Sequence, residues 1–103
     1  MDLTELCFHL RRRRRMYVPD DRYATAVAFV LGFDAASDGV ALAGFQEYVG
    51  DRTTHRSSPV HWPFLILESK LPGTAIADVP PESEAELTTL MLDLLEEFEV
   101  SRR

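Results

Sequence analysis

A chain of 103 residues has room for one domain with one core, which excludes a catalytic domain carried together with a regulatory one. Apolar residues make up 46% and charged residues 27%, the mix of an ordinary globular chain and not of a disordered one. The formal net charge of −6 opposes binding to a phosphate backbone unless the basic residues are segregated, and a single cysteine excludes an intramolecular disulfide or a two-cysteine metal motif.

Leu3, Leu6, Cys7 and Leu10 lie at i, i+3, i+4 and i+7, one face of a short helix that Asp2 or Thr4 can cap. Five consecutive arginines follow, Arg11 to Arg15, and the first of them fall in the last turn, where exposed carbonyls favour cations. Met16, Tyr17 and Val18 read as buried anchors of a connector. Pro19 turns Val18 away from helical geometry, and Asp20 and Asp21 suit the cap and first turn of a second helix. That helix carries Tyr23, Ala26, Val27, Val30 and Leu31 at helical spacing. Ala24, Ala28 and Gly32 are small enough for a neighbour to approach closely, so this segment is expected to be the central helix.

Ser37, Asp38 and Gly39 form a stop, after which Leu42, Phe45, Tyr48 and Val49 resume the period. Asp51 to Pro59 is polar and aperiodic, hence a surface loop. Phe64 to Leu67 fits a buried strand or a helical turn; Pro63, favoured in a first turn, points to helix. Pro72-Gly73 and Pro80-Pro81 break the next stretch. The last segment then combines a capping-box pattern, Ser83 with Glu86, with Leu87, Leu90, Met91, Leu94, Leu95 and Phe98 in strict helical register. The expected fold is all-α, a compact single domain of four to five helices spanning residues 1–103.

Charge is unevenly placed. From Asp78 to Glu99 the chain holds eight acids and no base, whereas five of its eleven basic residues form the arginine run. Acids precede the first apolar run and the basic residues follow it, the reverse of a secretory signal. No apolar stretch approaches the roughly 20 residues needed to cross a bilayer. A cytoplasmic protein without membrane contact is expected.

The histidines, His9, His55 and His61, show none of the local spacings of a metal site, and Cys7 belongs to the apolar face. Asp51, His55 and His61 with Ser57 or Ser58 lack a nucleophile-elbow pattern, and no glycine-rich phosphate loop is present. The sequence therefore points to no catalytic residue, metal or cofactor, and to binding instead of catalysis. One candidate surface is the acid face of the last helix, Glu82, Glu84, Glu86, Asp93, Glu96, Glu97 and Glu99, joined by His61 and Trp62 as an aromatic contact. The alternative is a nucleic-acid contact through Arg11, Arg12, Arg13, Arg14 and Arg15. A third reading makes the run a solvated helix end whose arginines pair with acids of the last helix.

Arg13, Met16 and Tyr17 also resemble the Arg-Pro-Gly-Met-Tyr-Ile-Gly entry to the ATPase domain of the DNA gyrase B subunit. Arg14 and Arg15 replace its proline and glycine, and its other nucleotide motifs are missing, so ATP binding does not carry over. Across most of the chain, Arg13, Met16 and Tyr17, Gly32 and Phe33, Trp62, and Leu94, Leu95 and Phe98 resemble a group of small bacterial immunity-type and accessory proteins. That resemblance implies a binding function and names no catalytic residues; taken with the acid face of the last helix, the sharper expectation is an immunity-like inhibitor that covers a basic active site on a toxin.

Overall fold

In the computed structural model, which describes residues 1–53 and 58–103, five α-helices surround one apolar core: α1 Leu3–Arg12, α2 Tyr23–Ala36, α3 Phe45–Thr53, α4 Trp62–Lys70 and α5 Pro81–Ser101. Short 3-10 turns, Arg14–Met16 and Ile76–Asp78, follow α1 and precede α5, and no strand occurs among the described residues. The radius of gyration, 13.0 Å, is that of a fully collapsed chain of this length. The fold is all-α, and no helix among the described residues is long and apolar enough to cross a membrane.

α5 is the axis of the molecule, packing against each of the other four helices. Leu87, Thr88, Met91, Leu92, Leu94, Leu95 and Phe98 are all buried, a stripe wide enough to serve neighbours on both sides. This corrects the expectation that α2 is central. α2 buries Tyr23, Ala26, Val27 and Val30, but Ala24, Ala28 and Gly32 face solvent, and a Cβ added at Gly32 would meet nothing. Small side chains there reflect an exposed face and not a close helix crossing.

Two ties fix the helices around the axis. The Tyr23 hydroxyl donates to the Pro63 carbonyl at 2.7 Å in the interior, joining α2 to α4, and burial raises the phenol above its ordinary pKa. Phe45 of α3 packs edge-on to Trp62 of α4 at 4.9 Å between centroids and against Phe98 of α5 at 5.2 Å. Phe64–Leu67 is helical, with Pro63 in the first turn of α4 as its fixed φ favours.

The corner between α2 and α3 uses the left-handed conformation at Asp38, φ +56°, and Gly39, φ +80°. The Asp34 carboxylate accepts from the Leu42 amide at 2.9 Å and the Ser37 hydroxyl accepts from Ala41 at 3.0 Å, so the turn satisfies its own backbone. Three residues of the expected Asp51–Pro59 loop are helical. Asp51, Arg52 and Thr53 complete α3, with Arg52 reaching Glu97 of α5 at 2.6 Å. His55 and Ser57 lie outside the described residues.

Helix starts depart from the sequence patterns as well. α5 begins at Pro81, two residues before Ser83, and no side chain caps it, so the Ser83–Glu86 pair is not a capping box. Asp2 does cap α1, accepting from Glu5 at 2.8 Å. Asp20 accepts from the Arg22 amide at 2.9 Å instead of entering the helix, and Asp21 turns to Arg15. The amide of Tyr23, the first residue of α2, is taken by the Glu84 carboxylate of α5. Of the three connector anchors only Val18 is buried; Met16 is 73% exposed and Tyr17 is half-buried against His9 and Phe29.

Candidate functional site

The arginine run wraps the end of α1 and the following 3-10 turn, where three of its members hold the corner together. Arg11 donates to Asp93 at 2.6 Å and to both oxygens of Glu96 at 2.8 and 3.2 Å, a forked clamp that pins α1 to α5 and raises the guanidinium above its ordinary pKa. Arg14 donates through Nε to the carbonyl of Leu10 at 3.0 Å, satisfying one of the orphan acceptors of the helix end. Arg15 bonds the Asp21 carboxylate at 2.9 Å and the Pro19 carbonyl at 3.1 Å, and Asp21 is held below the ordinary carboxylate range by that guanidinium. Arg12 and Arg13 project into solvent without a side-chain hydrogen bond or ion pair among the described residues.

The acidic residues of α5 are dispersed in the same way. Asp93 and Glu96 are committed to Arg11, Glu97 to Arg52, and Glu99 to Arg102 at 3.2 Å. Glu84 is committed to the start of α2. Glu82 and Glu86, both exposed, are the two of the seven that carry no hydrogen bond or ion pair among the described residues. The helix therefore does not present one uncompensated acid face; its free negative charge sits in the N-terminal third. Trp62 is 3% exposed and belongs to the core, which removes it from any contact surface. His61 is exposed at the start of α4, its carbonyl accepting from Phe64 and Leu65.

A hollow missed in the sequence lies where the first turns of α2 and α5 meet the segment before α5. Its volume is about 520 Å³, and Ala24, Ile76, Ala77, Val79 and Pro81 form an apolar lining with Asp21, Arg22 and Glu84 around it. Ile76 opens a 3-10 turn and Val79 follows it, inside a stretch whose prolines and glycine read only as a connector. The available signal was their spacing, three apart, just ahead of an acid-rich helix.

A second hollow, also about 520 Å³, is lined by Arg11 through Arg15, Met16 and Asp21. Asp21 thus stands in the wall of both. A smaller neighbouring hollow, about 280 Å³, shares Arg11, Arg12 and Arg14 and reaches Thr89 and Leu92 of α5. Elsewhere, burial pushes the Cys7 thiol up to about 12, with nearby Glu96 adding to the effect, which makes it an inert core group. No cluster of three or more histidine, cysteine or acidic side chains suited to a metal occurs among the described residues.

Compared with known proteins, the chain matches no family model, no curated protein and no solved structure.

Proposed function

We propose that the chain is a small protein-binding domain that receives a basic, partly apolar segment of its partner in the hollow between α2 and α5. The observation that carries this reading is an apolar floor, Ile76, Val79 and Pro81, with a rim of Asp21, Glu84 and Arg22 whose two carboxylates already serve Arg15 and the Tyr23 amide and keep oxygen lone pairs for a further donor. A lysine or arginine side chain has an apolar stem and a charged tip, and such a hollow suits both parts at once. Glu82 and Glu86 stand on another face of α5, Glu86 beside Lys70, and add only to the overall negative field of that end of the helix.

In its sharper form the partner is a toxin with a basic active site, and the domain is an immunity-type inhibitor that covers it from the N-terminal third of α5. Copurification from the native host with the wild-type chain and with Val79→Asp tests the binding function. A partner retained by the first and lost by the second is expected; no partner, or equal recovery with both, overturns the reading. Coexpression with the product of any adjacent toxin-like gene tests the sharper form through growth protection that Val79→Asp and Glu84→Lys abolish.

A nucleic-acid contact through Arg11 to Arg15 is favoured by one observation, the freedom of Arg12 and Arg13. It predicts an oligonucleotide gel shift that weakens steeply with salt and disappears when those arginines become glutamines.

A further inference from the structure

We infer that the arginine hollow is a binding site for a compact, multiply charged oxyanion of the pyrophosphate class. The five arginines do not act alike there. Arg11 and Arg14 are committed to Asp93, Glu96 and the Leu10 carbonyl, and serve as the fixed walls of the hollow. Arg12 and Arg13 bring two guanidiniums with no partner of their own among the described residues, and Arg15 brings a third, 64% exposed and held by the Asp21 carboxylate and the Pro19 carbonyl. Guanidinium forks match the paired oxygens of phosphate groups, and the fixed neighbours hold the backbone of the corner in place before any ligand arrives.

The surroundings select for a compact anion over a long one. Asp21 stands at one edge of the hollow, while Asp93 and Glu96 stand behind Arg11, on a molecule whose net charge is −6. A polyanion leaving the hollow in those directions meets carboxylates, whereas an anion small enough to stay inside meets the free guanidiniums. The hollow is an open depression of the surface, wide enough for such a group to reach the guanidiniums from solvent. This site does not depend on the partner hollow, with which it shares only the Asp21 wall.

Calorimetric titration of the full chain with sodium pyrophosphate at low salt, paired with amide chemical-shift mapping, tests the assignment. Saturable one-to-one binding with shifts centred on residues 12–16 and 21 is expected. The Arg12→Gln/Arg13→Gln double variant is expected to weaken it by about tenfold or more, since two charge-assisted contacts are lost. Arg12→Lys/Arg13→Lys, which keeps the charge and loses the forks, should fall between. Arg52→Gln, away from the hollow, should leave the affinity unchanged. Asp21→Asn frees Arg15 and should tighten binding, while Asp38→Asn, the same change of charge in the α2–α3 corner, should do so less. Absence of saturable binding, equal affinity in the glutamine double variant, or equal effects of Asp21→Asn and Asp38→Asn would overturn the assignment. So would single-stranded oligonucleotide binding that pyrophosphate fails to displace, because the site would then track a polymer and not a compact anion.

Discussion

The two hollows that meet at Asp21 are made from opposite materials. The one between α2 and α5 has a floor of Ile76, Val79 and Pro81 under two carboxylates and Arg22, and the one at the end of α1 has a wall of arginines with Met16 beside them. The first lies where helix starts converge, the second where a helix ends. Helix starts favour anionic side chains and helix ends favour cationic ones, so the local dipoles support the sorting of charge that the sequence carries. The comparison also separates two uses of an ionic group. Arg11, Arg14 and Glu84 are spent within the fold, whereas Arg12, Arg13, Glu82 and Glu86 remain free for something else.

The largest expected effect tests what the hollows have in common, their dependence on α5. Leu95→Ala removes a fully buried side chain from that axis and should lower stability by about 2–5 kcal/mol in urea denaturation. Both hollows should be lost in one transition, so two separate unfolding steps would break the comparison at its root. Glu84→Ala comes next, because it deletes the acceptor for the Tyr23 amide and an acid of the apolar hollow together. A loss of about 1 kcal/mol is expected, the usual cost of a missing helix cap.

On the arginine side, Arg11→Ala should cost about 1 kcal/mol, since its contacts to Asp93 and Glu96 form a partly exposed network. Arg12→Gln should stay within about 0.5 kcal/mol of wild type. If the two variants lose equal stability, the division into committed and free arginines fails. The smallest effect concerns Asp21. The Arg15 guanidinium holds its carboxyl below the ordinary 3.8, so the resulting stabilisation is complete above that value and is lost as pH falls through the lowered one. Wild type and Asp21→Asn should therefore differ slightly near neutral pH and converge in strong acid; a gap that widens in acid would contradict the assigned pairing.

Much of this architecture was legible where burial follows a period. The apolar stripe of α5, the α1 face of Leu3, Leu6, Cys7 and Leu10, and the turn at Asp38–Gly39 all come from local rules that the structure leaves in force. Misreadings arose where a distant partner decides the outcome. Met16 follows the arginine run like an anchor, yet the turn directs it outward and leaves Val18 as the one fully buried anchor of the three. Asp51 and Arg52 look like loop because the outer face of α3 is polar, and the Arg52–Glu97 contact that helps hold that turn spans 45 positions. The candidate site divides along the same line. The pairing of an arginine with acids of the last helix was foreseeable from charge, whereas the apolar hollow depends on how Ile76–Val79 docks beside Ala24, which no local pattern announces.

Glu84 and Tyr23 stand 61 positions apart, and yet the carboxylate of one completes the first turn of the helix begun by the other. α2 therefore cannot finish its own beginning until nearly the whole chain has been assembled. A fragment ending before α5 would leave α2 frayed at its start. Hydrogen exchange gives the signature: the Tyr23 amide should open only with global unfolding, at the same free energy as the centre of α5, and should lose that protection in Glu84→Ala while the core retains it.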